Sequence, residues 1–312
     1  MSNRAPSSGA LPRGQGPTIP SSPQDSIFAL MPDADQLLYV YELKGGVPLP
    51  IVDLDGLLGI WPEGYYTYLF FLHPAEMTLA AFLHVHPEFH LTDRYRLRYG
   101  DWQDLAEEEP FQIGPFRITT RSLQVDLGAG DIPLWIDPGV IFGSGLHPTT
   151  RGCLQALSLV YSQERPAQVL DLGTGSGILA IAAAKLGAAE VDAVDLNPLA
   201  VSTASANCRR NGVDGRVRVR LGDAGDDLPA ADLLCLNIHQ EFLRTFLADP
   251  KVLGYRLAIV SGFLQEQLDK VLQLLPPRSR LRIPPIIERG WVTLLMESDD
   301  PRRGVNHYGT TD

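Results

Sequence analysis

The sequence predicts an α/β protein, a doubly wound and mostly parallel sheet with a smaller N-terminal α+β domain before it. Three observations carry this. From Thr149 to about residue 261, short apolar runs alternate with helical stretches, the rhythm of βαβ units. One of those runs, Val169–Leu172, passes directly into Gly173-Thr174-Gly175-Ser176-Gly177 and then an Ala-rich helix. Before residue 100, runs rich in Tyr, Val and Phe flank a single helical stretch without that rhythm.

The 312 residues suffice for about two domains. Apolar residues make up 45% and charged residues 20%, a balance that allows a sizeable buried core. The net charge of −11 disfavours direct nucleic-acid or anionic-membrane binding and favours a cationic ligand or a basic protein partner. Cys153, Cys208 and Cys235 are odd in number and widely spaced, so neither a disulfide framework nor a metal site is expected, and a reducing cytoplasm fits. No apolar run is long enough for a membrane span, and the N-terminus lacks a signal pattern.

Residues 1–26, rich in Pro, Ser and Gly, read as a disordered tail, and 299–312 as a flexible C-terminal end. Residues 27–99 read as the α+β domain, with strands at Ile27–Met31, Leu37–Leu43 and Tyr66–Leu72, a helix after Pro74 and a strand at Tyr95–Tyr99. Residues 100–136, with the acidic Glu107, Glu108 and Glu109 and several short β-like pieces, read as a linker region. The large domain is expected over 137–298. It opens on the Gly/Pro-rich Asp137–Gly145 loop, followed by a helix over about 149–161. Strands follow at Gln168–Asp171, Val191–Asp195, Val217–Leu221, Asp232–Asn237 and Leu257–Ser261. Asn197-Pro198 is the expected start of one intervening helix, and Asn211-Gly212 its stop. Leu281–Ile287 and Trp291–Glu297 form an expected hairpin, weakened at Pro284 and Pro285.

In an open parallel sheet the ligand crevice lies beyond the strand carboxyl ends. The glycines of Asp171-Leu172-Gly173-Thr174-Gly175-Ser176-Gly177 let the chain turn sharply and let a flat ligand lie against bare backbone. A dinucleotide fingerprint needs its third glycine one place later, where Ile178 stands, and a P-loop needs a Lys that is absent. Asp171 ends the strand, where a carboxylate suits a cation better than a pyrophosphate. D-x-G-x-G-x-G is therefore expected to hold S-adenosylmethionine, with S-adenosylhomocysteine as product. Asp195 ends the next strand, placed for ribose hydroxyls, Asp223 follows the third, placed for the adenine amino group, and Asn237 ends the fourth.

Asp137-Pro138-Gly139-Val140-Ile141-Phe142-Gly143-Ser144-Gly145-Leu146-His147-Pro148-Thr149-Thr150 resembles the D-P-G-x-x-F-G-[TS]-G-x-H-P-T-T signature of PrmA-type methyltransferases, which modify ribosomal protein L11. Leu172–Asn211 and Asn237-Ile238 are similar to the same family. The resemblance, over about residues 137–297, implies a Rossmann-like class I methyltransferase. It implies cofactor contacts from Thr150, Gly173, Asp195 and Asn237, to which the glycine loop adds Gly175 and Gly177. It further implies an N-terminal ferredoxin-like substrate-recognition domain, and Asp101-Trp102 looks like the pair preceding the family's linker. The N-terminal region matches the family poorly and carries an extra Pro/Ser-rich tail, and two local features also depart from the pattern. The family's Asn-Ile-Leu-Ala-Gly-Pro-Leu is here Asn237-Ile238-His239-Gln240-Glu241-Phe242-Leu243, and the second Trp after Asp101-Trp102 is missing.

Methyl transfer is mainly a problem of position, and an amine acceptor must arrive neutral. Asn237 is expected to orient the amine by accepting its hydrogens, and His239 to accept a proton. The 137–150 segment is a candidate lid, and His147 either a contact or a helix cap. His84, His86 and His90 lack partners at ligand spacing, so no metal is expected. The leading expectation is a protein-lysine or α-amino N-methyltransferase acting on ribosomal protein L11. The alternatives are another protein or small-molecule acceptor, and a non-catalytic cofactor-binding module. Sequence leaves the oligomeric state open.

Overall fold

The computed structural model describes residues 35–45, 54–63, 66–99, 110–119, 126–137, 139, 141, 143–223, 228–238, 240–247, 255–275 and 279–298. The two expected tails, Ile27–Met31, Asp101-Trp102, Glu107–Glu109 and His239 lie outside the described residues.

The first sheet contains β1 (Leu37–Lys44), β2 (Leu57–Glu63), β3 (Tyr66–Phe71) and β4 (His90–Arg98), in the antiparallel order β2-β3-β1-β4. Alternation along β1 places Tyr41 and Leu43 on one face, where helix α1 (Glu76–Val85) covers them with Leu79 and Phe82. Leu38 and Val40 occupy the other face with Phe70 and Tyr99, against Leu199 of the large domain. β2 is an addition to the expected strands, since Gly59 and Pro62 erase its alternation. β4 is an edge strand with mostly exposed side chains. His86 Nδ1 lies 3.2 Å from Glu88, and the His86 ring 4.6 Å from Phe82. Among the described residues, no group of three or more His, Cys, Asp or Glu is gathered as metal ligands would be.

The stretch expected as a linker folds where it is described. β5 (Phe111–Ile113) and β6 (Phe116–Thr119) form a hairpin, and β7 (Ile132–Trp135) runs parallel to β6. Ile113, Phe116, Ile118, Leu134 and Ile136 are buried in the same core as helix α2 (Pro148–Gln163), so these residues pack as part of the large domain. The short β-like pieces of this stretch are three or four residues long, too short for periodicity to show how they pack.

The large sheet is built from β8 (Gln168–Leu172), β9 (Glu190–Asp195), β10 (Val217–Leu221), β11 (Leu233–Asn237), β12 (Leu257–Leu264), β13 (Ser279–Leu281), β14 (Ile286–Glu288) and β15 (Trp291–Ser298). Helices α3 (Ile178–Leu186), α4 (Pro198–Arg210), α5 (Gln240–Leu247) and α6 (Leu268–Leu274) lie between its strands in sequence. The order is β10-β9-β8-β11-β12-β15-β13, with β14 also on β15. β8 to β12 are parallel, and β15 is antiparallel to its neighbours. Alternate residues feed two cores, Val169, Ala193 and Cys235 on one face, Leu170, Val194 and Leu234 on the other. This is the doubly wound arrangement expected, and its strand order reverses between β8 and β11. The ligand crevice of such a sheet opens there, beyond the carboxyl ends.

Local signals behave as the sequence predicts at several ends. Asn197 caps α4 by accepting from the Leu199 amide at 2.9 Å, and Gly212 follows that helix at φ 66°. Arg289 and Gly290 turn the hairpin with φ of 50° and 81°. The strand before that turn is split into β13 and β14 around Pro284-Pro285. Among the described residues, no helix is long and apolar enough to cross a membrane.

Candidate cofactor site

β8 delivers the chain into the glycine loop at the reversal point. Gly173, Gly175 and Gly177 have φ of 75°, 55° and 85°, values other residues rarely adopt. The Gly173 and Thr174 amides donate to the Val194 carbonyl at 2.8 and 3.0 Å, which fastens the loop to β9. Gly173 and Gly175 are partly exposed, whereas Thr174, Ser176 and Gly177 are buried. The loop therefore offers the backbone of Gly173 and Gly175 to the crevice as its floor.

Asp195 closes one side of this floor. Its Oδ2 accepts from the Gly175 amide and its Oδ1 from the Asn197 amide, both at 2.9 Å. Burial raises its carboxyl pKa, against the opposing pull of the Asn197, Gly175 and Leu196 amides. Each oxygen keeps a second lone pair, so the group can still accept from a diol. The Gly222 amide donates to the Asp195 carbonyl at 3.0 Å, which sets the backbone of exposed Asp223 one residue away from the same strand end. Across the reversal point, Asn237 at the end of β11 donates from Nδ2 to the hydroxyl of buried Thr150 at 3.3 Å. Two residues far apart in sequence, both expected at the cofactor, thus touch.

Asp171 is a correction. It is 1% exposed, and its Oδ2 accepts from the Thr174 hydroxyl at 2.6 Å and the Ala180 amide at 3.2 Å. The carboxyl group braces the loop from beneath and does not face the crevice, so negative charge at the crevice comes from Asp195. Burial pushes Asp171 up to about 6 from its ordinary 3.8. The folded state then holds this proton more tightly than the unfolded chain. The resulting stabilisation is full below about pH 4 and is lost as pH rises through 6. Relative to Asp171→Asn, the wild type is expected to lose about 2–3 kcal/mol between pH 4 and 7. Denaturant midpoints of both proteins across that range check this, and parallel profiles would contradict it.

The first part of the 137–150 segment, expected as a candidate lid, is fastened where it is described. Gly139 O accepts from the Tyr99 hydroxyl at 2.6 Å, and Gly143 O from the Ser176 hydroxyl at 2.7 Å. These bonds make it a wall beside the loop. His147 caps α2, accepting from the Thr149 amide through Nδ1, and its ring lies 4.8 Å from Trp291 in an edge contact.

A sequence profile of the ribosomal protein L11 methyltransferase (PrmA) family matches residues 76–299. The chain is 32% identical over 267 residues to a ribosomal protein L11 methyltransferase of Rhizobium rhizogenes, covering 80% of this chain and 89% of that one. It is 34% identical over 214 residues to another from Symbiobacterium thermophilum, covering 65% and 68%. A solved structure titled ribosomal protein L11 methylase, from Lactobacillus delbrueckii subsp. bulgaricus, aligns with a TM-score of 0.51 at 27% identity, over 59% of this chain and 95% of that chain.

Proposed function

This chain belongs to the ribosomal protein L11 methyltransferase (PrmA) family and is an S-adenosylmethionine-dependent methyltransferase, and from that premise we propose that it methylates amino groups of ribosomal protein L11 in the cytoplasm. The observation that carries the acceptor class is the match to relatives named for that activity along most of their length. The residues support an amine acceptor. With Nδ2 of Asn237 directed at Thr150, Oδ1 is the acceptor its side chain keeps for an ammonium or amine hydrogen. A buried crevice favours the neutral amine, and an acidic chain favours a basic protein.

The cofactor supplies an electrophilic methyl group on a sulfonium. Gly173 and Gly175 would provide the floor beneath it, with Gly177 making the turn into α3, Asp195 would hold the ribose, and Thr150 and Asn237 would line the side nearer the acceptor. Asp223, which follows β10, would contact the adenine, and His239 remains a proposed proton acceptor. The expected cost of Asn237→Ala is at least about tenfold in methyl transfer, since one oriented hydrogen bond is lost. Initial rates with purified L11 check this, and unchanged turnover would remove the role.

A second acceptor, another protein or a small molecule, is favoured by one observation. Helix α5, which begins at Gln240, runs through Glu241-Phe242, where the family's usual run has Gly-Pro. Purified enzyme with labelled S-adenosylmethionine, offered L11 or a cell extract, separates the two readings. Label on L11 supports the first, and label confined to other species supports the second.

A further inference from the structure

Helix α4 carries Asn207, and Asn211, four residues on, caps its C-terminal end; both asparagines are turned into the protein. Asn207 is 1% exposed and Asn211 7%. Asn207 Oδ1 accepts from the Asp137 amide at 3.0 Å, and its Nδ2 donates to the Asp137 and Ser176 carbonyls, each at 2.8 Å. Asn211 Oδ1 accepts from the Trp135 amide at 3.1 Å, and its Nδ2 donates to the Trp135 and Asn207 carbonyls at 2.7 and 2.9 Å. Residues 135 and 137 point the same way in an extended chain. The two amides therefore pair with that chain as a neighbouring strand would. Arg210 adds a contact to the Asp137 carboxylate at 3.5 Å.

The two side chains differ in one respect. Asn211 holds only the Trp135 backbone and its own helix. Asn207 also holds the carbonyl of Ser176, between Gly175 and Gly177, while the Ser176 hydroxyl donates to Gly143 O at 2.7 Å. One buried amide thus joins the wall at 137–143 to the loop that forms the floor. The helix sits close enough that a Cβ on Gly177 would lie 3.1 Å from that of Ala204. An aspartate at 207 would lose both donors and face two carbonyls, and an alanine would leave buried groups unpaired.

We propose that Asn207 is a positioning residue for S-adenosylmethionine: it sets the spacing between the 137–143 wall and the Gly173–Gly177 floor, whereas Asn211 anchors structure alone. This rests on cofactor binding and is independent of the acceptor. Asn207→Ala and Asn211→Ala each remove one amide and three hydrogen bonds, from α4 and from its C-terminal cap. Similar losses in melting temperature are expected. Calorimetric titration with S-adenosylhomocysteine should then show affinity about tenfold or more weaker in Asn207→Ala, and within about threefold of wild type in Asn211→Ala. The Asn207→Ala defect should fall mainly on KM for S-adenosylmethionine, with kcat less affected. Equal affinities in the two variants at matched melting temperatures would overturn the proposal. If Asn207→Ala does not fold, Asn207→Asp and Ser176→Ala serve instead, with weaker binding expected in both and unchanged binding in both contradicting it. A wild-type protein that takes up no S-adenosylhomocysteine would overturn the cofactor assignment itself, a failure distinguishable from equal affinities in the variants.

Discussion

Gly262→Ala is expected to lower the methyl-transfer rate about 100-fold and stability by about 2–5 kcal/mol. Gly262 lies in β12 at φ 102°, beside the β11 end. A Cβ there would stand 2.0 Å from the Ile238 carbonyl oxygen, 2.6 Å from its carbon and 3.0 Å from its nitrogen. These are backbone atoms, so no rotamer relieves the clash. Ile238 must move away from Ser261, whose carbonyl its amide meets at 3.3 Å, and it carries Asn237 away from Thr150. The same displacement disturbs the floor, because the Ile238 side chain packs over Gly173. Gly290→Ala is the control. It also has positive φ, but nothing stands within 4 Å of its Cβ position, so about 1 kcal/mol of strain and an unaltered rate are expected. Single-turnover rates and denaturant midpoints of both variants test this. A Gly262→Ala enzyme with wild-type rate would show that the β11–β12 junction does not hold the acceptor side.

Asp195→Ala is expected to weaken S-adenosylhomocysteine binding about 100-fold or more. Two effects combine. The ribose loses a charged acceptor, and the amides of Gly175 and Asn197 lose theirs, which loosens the floor and the start of α4 together. Asp195→Asn should fail nearly as badly, since an amide cannot accept at both positions. Equilibrium titration of the two variants is the check, and affinity within threefold of wild type would refute the assignment.

Much of this was readable from the sequence wherever a single residue dictates the backbone. The glycine loop, the Asn197 cap, the Gly212 stop and the Arg289-Gly290 turn all belong to that class. Strand ends were readable as well, and Asp195 and Asn237 end β9 and β11 as the sequence expects. Facing was misjudged. Asp171 follows Val169 by two residues, and period two puts both on the face covered by α3, where the Ala180 amide waits. Spacing located Asp171 at a strand end, but only alternation along β8 indicates its direction. β5 to β7 show in the sequence only as short β-like pieces, and their place in the large domain is hidden because β6 and β7 pair in parallel across a long connection. Asn207 and Asn211 left a faint mark, two amides four apart on a helix face otherwise lined by Ala200, Thr203, Ala204 and Cys208. Buried amides on such a face need partners, and those partners lie some 70 residues away in sequence.

Calorimetric titration of the wild-type protein with S-adenosylhomocysteine, and separately with a nicotinamide dinucleotide and a nucleoside triphosphate, examines the loop's preference. Bare glycine backbone flanked by the Asp195 carboxylate should take up the adenosyl compound with measurable heat and leave both polyphosphate ligands unbound. Tight uptake of either polyphosphate with no heat from S-adenosylhomocysteine would contradict the assignment of this crevice as a methyl-donor site.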